Sequence, residues 1–234
     1  MTPALALSGL HAWYGESHIL HDVHLHVAPG EVVTLLGRNG AGRSTTLRAI
    51  MGMTGARRGS IKLHGVEAIG LPAHRIAHLG VAYCPEERGI FASLSAEENL
   101  MLPPRLRGQA GMSVDAIYAM FPNLYERRRS QGTRLSGGEQ QMLALARILR
   151  TGARLLLLDE ISEGLAPVIV QALARTILTL RRQGYTIVMV EQNFRFAAPL
   201  ADRFYVMEHG RIVTSFAADQ LQANMPALTE LLGV

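Results

Sequence analysis

Apolar and polar side chains alternate near the start of the chain and then give way to short, wholly apolar runs. The alternation over residues 20–27, followed by a turn at Pro29-Gly30, predicts antiparallel strands. The apolar run at 32–36 predicts a buried strand, and a glycine-rich turn separates it from a helical pattern over 45–50. The order strand, glycine loop, helix places a helix N-terminus where it can bind an anion.

The rest of the pattern is typical of an α/β protein interrupted by a helical segment. Further strands are predicted at 60–64, 80–83, 155–158, 186–190 and 204–207, with helical stretches between several of them. The strand signal disappears between about 94 and 150, where the pairs Ser95/Glu98 and Ser136/Glu139 have the spacing of capping boxes. The second pair precedes an apolar helix face, so this segment is predicted to be a helical insertion.

The chain is predicted to be one domain of 234 residues, since no linker, low-complexity segment or internal repeat divides it. Approximately residues 1–30 are expected to form an antiparallel β portion. Residues 31–85 and 151–234 are expected to form a core with a mixed, mostly parallel sheet. Residues 86–150 are expected to form the helical subdomain.

The composition of the chain indicates which kinds of binding partner and which cellular environment to expect. The chain has 23 Lys and Arg residues against 19 Asp and Glu, a net charge of +4. This charge is too small and too dispersed to favour nucleic acid as a ligand. Cys84 is the only cysteine, which fits a reducing cytosol. No apolar run approaches the length that spans a bilayer, so any membrane role is expected to come through a partner protein.

Histidines are concentrated near the start, with five of nine in the first 26 residues. His24 and His26 share one face of a predicted strand. Without a nearby cysteine or a third well-spaced ligand, they are expected to be solvated strand residues and not a zinc site.

The glycine-rich turn at 37–44 has the spacing of a phosphate-binding loop. Glycines there let backbone N–H groups converge on phosphate oxygens. The predicted binding residues are Gly37, Asn39, Gly40, Ala41, Gly42, Arg43, Ser44 and Thr45.

Arg43 stands where this motif expects lysine. One explanation is a general replacement of lysine by arginine, because Lys62 is the single lysine of the chain. The other is impaired catalysis, because displacing a phosphate contact by about an ångström costs on the order of 100-fold in rate.

Two carboxylates follow the apolar strand predicted at 155–158. Ligands gather at the carboxyl ends of strands in open sheets. Asp159 is expected to hold Mg²⁺ together with the Ser44 hydroxyl, and Glu160 to polarise the water that attacks a γ-phosphate. A purely structural role, with Asp159 capping the next turn, leaves Glu160 unexplained.

A second anion site is predicted at Ser136-Gly137-Gly138, where Ser136 caps a helix whose first amides are opened by two glycines. The string from Leu135 to Gln141 resembles the signature sequence of the ATP-binding cassette (ABC) ATPases, and the resemblance covers nearly the full length. It implies a P-loop NTPase core and ATP with Mg²⁺ as ligands. It also implies that the signature reaches across a dimer, so that hydrolysis needs a second ABC ATPase subunit, either identical or different.

The resemblance assigns three further roles. Tyr14 matches the aromatic residue that stacks on adenine, although a half-buried strand tyrosine is equally compatible and Trp13 beside it could compete. Glu86 stands at the position of a glutamine that senses Mg²⁺ and contacts the permease. Gln192 stands where most members have a histidine that contacts the γ-phosphate, and its amide can still donate a hydrogen bond.

Departures from the common family pattern point to one branch. Residues 163–166 match the loop that joins the two subunits, although Ala166 replaces the usual Asp and Ile161 replaces the usual Pro after Glu160. Together with Glu86, the strings at 190–193 and 164–167 resemble the branch that imports branched-chain amino acids and related amides (LivF-like).

This branch implies an ATPase on the cytoplasmic face of the membrane that works with an integral membrane permease and, indirectly, a solute-binding protein. A weakly hydrolytic cassette paired with a more active one is the alternative that Arg43 raises. A soluble translation or repair ATPase is disfavoured, because such relatives generally carry paired cassettes or a long coiled-coil insertion.

Overall fold

Two β-sheets form the framework of the chain in the computed structural model, which describes residues 2–106 and 108–232. In chain order the strands of these residues are β1 (Leu5–Tyr14), β2 (Ser17–Val27), β3 (Val32–Leu36), β4 (Arg57–Leu63), β5 (Val66–Glu67), β6 (Val81–Cys84), β7 (Leu155–Asp159), β8 (Thr186–Val190), β9 (Arg203–Glu208) and β10 (Arg211–Ala217). A four-stranded sheet has the order β2-β1-β4-β5 and a six-stranded sheet has the order β10-β9-β3-β8-β7-β6.

Helices connect and cover these sheets. They are α1 (Arg43–Ile50), α2 (Ala73–Ala77), α3 (Ala96–Met101), α4 (Val114–Met120), α5 (Pro122–Glu126), α6 (Gly137–Thr151), α7 (Pro167–Arg182), α8 (Phe194–Ala197) and α9 (Leu221–Leu232). Across residues 2–106 and 108–232, no helix combines the length and the apolar character needed to cross a membrane.

The six-stranded sheet explains the apolar runs of the sequence. Every residue of β3, β7 and β8 is buried, as is usual for parallel strands covered on both faces. β3 pairs in parallel with β8 and with β9, and β7 pairs in parallel with β8 and with β6. The predicted strands are therefore confirmed, and the residues that follow β3, β7 and β8 meet at one edge of the sheet.

The antiparallel sheet extends further along the chain than the expected limit of about residue 30. β1 pairs with β2 on one side and with β4 on the other, with Leu5 opposite both Val27 and Leu63. β4 follows α1 in the chain, and β5 pairs with β4. The antiparallel sheet therefore includes residues as far along the chain as Glu67. The alternation of apolar and polar residues did not predict this, because the pairing of β4 with β1 joins distant parts of the chain.

The predicted helical insertion contains α3 to α6, and both capping boxes are present. The Ser95 hydroxyl accepts from the Glu98 backbone N–H at 3.2 Å, and the Ser136 hydroxyl accepts from the Glu139 N–H at 3.3 Å. Each glutamate carboxylate in turn accepts from the backbone N–H of its serine. These reciprocal bonds satisfy N–H groups that a helix start would otherwise leave without partners.

Candidate active site

The predicted phosphate loop connects β3 to α1. Gly42 precedes the helix with φ of 102°, a left-handed conformation that favours glycine. Gly37 is buried, and a Cβ there would lie 2.6 Å from the carbonyl oxygen of Met207. The loop therefore depends on glycine for its turn into α1 and for its close contact with β9.

A cavity of about 450 Å³ lies over this loop. It brings together most of the predicted site residues, which are Tyr14, Asn39, Gly40, Ala41, Gly42, Arg43, Ser44, Thr45, Glu86 and Glu160. Ile19 and Glu163, which the sequence did not single out as site residues, also line it. The N-terminus of α1 opens towards the cavity, an arrangement suited to an anion.

Asp159 lies at the end of β7 and is completely buried. Its Oδ1 accepts a 2.8 Å hydrogen bond from the Ser44 hydroxyl, and its Oδ2 accepts a 2.7 Å bond from the Tyr83 hydroxyl. Burial and the neighbouring carboxylate raise the pKa of Tyr83, so this hydroxyl stays protonated and acts as a donor. The predicted pairing of Ser44 with Asp159 is thus present, and Tyr83 joins it from β6.

Arg43 makes an ion pair with Glu160 across the cavity floor. Its Nη2 lies 2.7 Å from Glu160 Oε1 and 3.2 Å from Asn39 Oδ1. The side chains of Arg43 and Glu160 are only 4% and 10% exposed. Arg43 Nη1 is buried and has no hydrogen-bond partner within the part of the chain that the structure describes. A buried guanidinium group of this kind is suited to receive an anion.

Three glutamates crowd one side of the cavity. Carboxylate oxygens of Glu86, Glu160 and Glu163 lie within 4.8 Å of one another. Burial, followed by a hydrogen bond with Glu163, raises the pKa of Glu160 to about 7, and the positive charge of Arg43 opposes this shift. With the Ser44 hydroxyl and the Asp159 carboxylate, this wall offers the hard oxygen ligands that Mg²⁺ prefers, so the residues fit the predicted metal.

Gln192 lies in a different cavity from the phosphate loop. That cavity has a volume of about 920 Å³ and also contains Glu191 and residues of the loop after Glu160. Glu163 lines both cavities. Within this chain, the two predicted catalytic residues, Glu160 and Gln192, therefore line two different cavities that share Glu163.

Ser136, Gly137 and Gly138 form the start of α6, and none of them lines the phosphate-loop cavity. Ser136 is exposed, whereas Gly138 is buried against Ile169 of α7. The phosphate-loop cavity therefore does not include the first turn of α6.

The aromatic residues at the end of β1 have distinct surroundings. Trp13 stacks on His18 with ring centroids 4.2 Å apart, and the Arg58 guanidinium lies over the Trp13 ring. Tyr14 is 38% exposed and lines the phosphate-loop cavity. His24 and His26 are exposed and alternate with buried strand residues, as the pattern predicts. Of the two aromatic residues, Tyr14 is thus the one placed to meet a ligand on the phosphate loop.

Comparison with known proteins identifies this arrangement. Residues 20–163 match the sequence family described as "ABC transporter". The chain belongs to this family. The predicted family, and with it the predicted type of enzyme, an ATPase, is therefore confirmed.

Two relatives of this ABC cassette align over most of their length. It is 43% identical over 231 residues to the high-affinity branched-chain amino acid transport ATP-binding protein BraG of Pseudomonas aeruginosa, covering 98% of this chain and 99% of the relative. It is 36% identical over 215 residues to the probable branched-chain amino acid transport ATP-binding protein LivF of Archaeoglobus fulgidus, covering 91% of each chain.

A solved cassette shares the fold. The dimeric post-hydrolysis structure of the ATP-binding cassette MJ0796, bound to ADP and Pi, matches with a TM-score of 0.80 at 21% identity, covering 92% of this chain and 98% of that chain. The predicted P-loop NTPase fold, with a mixed sheet, an antiparallel sheet and helices, is confirmed.

Three residues of this ABC cassette site were not predicted as site residues from the sequence. Tyr83 bonds Asp159, Glu163 bonds Glu160, and Glu191 accepts two hydrogen bonds from Ser162. Tyr83 directly precedes the Cys84-Pro85-Glu86 string, and Glu191 directly precedes Gln192. A polar residue inside or directly after a buried strand was the available signal, because such a group needs a partner.

The two signature glycines of this ABC cassette are predicted to differ in their tolerance of a methyl group. A Cβ at position 138 would lie 2.8 to 3.0 Å from three carbons of Ile169, whereas one at 137 would lie 3.3 Å from the flexible end of Arg88. Overpacking costs about 1–3 kcal/mol, and alanine recovers up to about 1 kcal/mol of helix propensity. Gly138→Ala is therefore expected to lower Tm by about 2–4 °C.

Gly137→Ala is the matched control, since the same methyl group is added to the same helical turn. It should leave the melting temperature unchanged or slightly raised, because Arg88 can move aside. Thermal unfolding followed by circular dichroism compares the two variants. Equal melting temperatures would show that Gly138 is not required for the packing of α6 against α7.

Proposed function

We propose that this ABC cassette powers the uptake of branched-chain amino acids or related amides through a separate integral membrane permease. In this proposal it acts at the cytoplasmic face of the membrane, and a solute-binding protein delivers the solute. The observation that carries the ATPase part is a cavity lined by the phosphate loop and Glu160, in which Ser44 is hydrogen-bonded to the buried Asp159. The names of the Pseudomonas and Archaeoglobus relatives support the solute class.

The nucleotide phosphates would bind the backbone N–H groups of residues 39–45 and the N-terminus of α1. The Arg43 guanidinium would supply the positive charge, since its buried Nη1 has no hydrogen-bond partner among the described residues. Tyr14 would stack on adenine, because its exposed ring lines the same cavity while Trp13 is occupied by His18. These contacts would fix the γ-phosphate above Ser44.

The carboxylates would serve two functions, metal binding and alignment of the attacking water. Ser44, Asp159 and Glu86 would hold Mg²⁺, which when bound neutralises phosphate charge and orients the β- and γ-phosphates. Glu160 would accept a hydrogen bond from the attacking water and align it with the γ-phosphate. Because Arg43 contacts Glu160, phosphate binding would compete for that guanidinium and free the carboxylate.

A second cassette would complete the site. The first turn of α6 does not line the phosphate-loop cavity of its own chain, and in the proposed dimer Ser136 to Gly138 would bind the γ-phosphate held by a partner subunit. The dimeric MJ0796 cassette supports this assembly. Gln192 and Glu163 would reach the shared interface from the cavity beside the catalytic glutamate.

Transport measurements test the solute class. Deleting the chain is expected to abolish uptake of labelled leucine, isoleucine and valine, and wild type but not Glu160→Gln should restore it. A labelled aliphatic amide distinguishes the two solute classes in the same assay. Affinity purification from membranes should recover one permease. Normal uptake of all these solutes in the deletion strain would contradict the proposed substrate.

A second candidate function follows from the Arg43–Glu160 ion pair. If nucleotide fails to displace this contact, the catalytic carboxylate stays engaged, and the chain is a weakly hydrolytic partner of a more active cassette. The ATPase activity of Arg43→Lys separates the two candidates.

A further inference from the structure

Glu160 has a backbone conformation that needs external support. Its φ is 47°, in the left-handed region that residues with a Cβ rarely adopt. It directly follows the last residue of β7, where the chain leaves the sheet. Such a conformation persists only where the surrounding structure fixes it, and it is often found at active sites.

Hydrogen bonds hold the chain on both sides of this residue. The Glu160 N–H donates to the Val190 carbonyl oxygen at 2.9 Å. Two residues later, the Ser162 N–H donates to Glu191 Oε1 at 3.2 Å and the Ser162 hydroxyl donates to Glu191 Oε2 at 2.7 Å. Both anchors belong to the end of β8, so Val190 and Glu191 together secure the turn that carries Glu160.

Glu191 is an unusual residue for this location. It is 1% exposed, and burial raises its pKa to about 7 although the bonds from Ser162 and the charge of Arg43 act in the opposite direction. A buried carboxylate is costly even when hydrogen-bonded, and an apolar side chain would stabilise the fold at least as well. Ser162 is itself 4% exposed and depends on Glu191 to satisfy its hydroxyl and its N–H.

We propose that Glu191 is a positioning residue for hydrolysis, acting through Ser162 to fix the turn that aims Glu160 at the phosphate loop. Ser162 directly precedes the loop 163–166, and Glu191 directly precedes Gln192. Glu163, the residue after Ser162, lines both cavities. The inference rests on the proposed catalytic role of Glu160. It requires hydrogen-bond geometry from Glu191 and not a negative charge.

Three variants test this inference in the full-length chain. Glu191→Ala removes both acceptors and is expected to lower kcat by about 30-fold, because a displacement of about an ångström is costly in this chemistry. The ATP dissociation constant should stay within about threefold, because the phosphate loop is untouched. In Glu191→Gln the amide oxygen still accepts from the Ser162 N–H, and the amide NH₂ group donates to the Ser162 hydroxyl oxygen. This variant is therefore expected to retain most of kcat.

Ser162→Ala provides an independent measurement should Glu191→Ala fail to fold. It removes one of the two bonds and is expected to lower kcat by about 3- to 10-fold with unchanged ATP affinity. An unchanged kcat in Glu191→Ala, or in Ser162→Ala where the first variant does not fold, would overturn the inference. A loss in Glu191→Gln as large as in Glu191→Ala would also overturn it, since charge would then matter more than geometry.

The test separates this inference from the proposed function. Retained turnover in Glu160→Gln would remove the catalytic role of Glu160 itself. Full loss in Glu160→Gln together with unaltered kcat in the folded Glu191 and Ser162 variants would leave that role intact and exclude only the positioning role.

Discussion

Glu160→Gln is expected to lower steady-state ATP hydrolysis by more than about 100-fold while leaving ATP binding intact. The amide keeps the size of the side chain and its place beside Arg43 and Glu163. It loses the carboxylate that would align the attacking water. ATP should then persist between two subunits, and the variant should accumulate as a nucleotide-dependent dimer.

Phosphate release and size-exclusion chromatography with ATP and Mg²⁺ measure these two effects. Glu87→Gln is a matched control, because it makes the same change at a side chain that is 67% exposed and pairs with Arg48 at the surface. Exposed ion pairs contribute little, so this control should hydrolyse ATP at the wild-type rate. Steady-state hydrolysis in Glu160→Gln equal to wild type would exclude Glu160 as the catalytic carboxylate.

Arg43→Ala is expected to weaken ATP binding by at least about 100-fold, since hydrogen bonds between charged groups in a buried site are strong. The substitution removes a guanidinium that is 4% exposed and leaves Glu160 without its cation. Titration with a fluorescent ATP analogue measures the loss. Arg38→Ala is the comparison within the same loop; Arg38 is exposed and donates to the Glu230 carbonyl oxygen, so its loss should weaken ATP binding far less. Equal losses in the two variants would contradict the role of Arg43.

Arg43→Lys decides whether the loop is adapted to arginine. Arg43 Nη2 contacts both Glu160 and Asn39, and Nη1 of the same planar group is buried beside it. A lysine ammonium has a single nitrogen and does not reproduce this geometry. Turnover in Arg43→Lys is therefore expected to equal that of wild type or to fall below it. A sharp rise in ATPase activity would instead support the weakly hydrolytic partner cassette.

The sequence predicted those parts of the fold that local patterns encode. The strands β3, β7 and β8 were found because buried parallel strands have continuous apolar runs, and α6 because Ser136 and Glu139 mark its first turn. The strand β1 was not delimited, since register shifts between Leu7 and Trp13 disturb its alternation. β10 was missed because most of its residues are not buried.

The candidate site was predictable as a set of residues but not as a set of contacts. Motif spacing identified Ser44, Asp159, Glu160 and Ser136 one by one. The pairing of Arg43 with Glu160 joins residues 117 positions apart, and that of Tyr83 with Asp159 joins residues 76 positions apart. Such pairings depend on how strands order themselves in the sheet, which periodicity does not reveal.

The guanidinium in the phosphate loop also changes the reactivity of the nucleotide site towards electrophilic reagents. A guanidinium group is a poor nucleophile, because its positive charge is delocalised over the planar group. Acyl phosphates of ATP and other reagents that label a lysine amine at the nucleotide site have no target in residues 37–44. The single lysine, Lys62, is exposed on β4, where its partners in the sheet are Ala6 of β1 and Glu67 of β5 and not residues of the phosphate loop. Surveys of ATPases that detect proteins by covalent capture of that amine would therefore pass over this protein even when it is loaded with nucleotide.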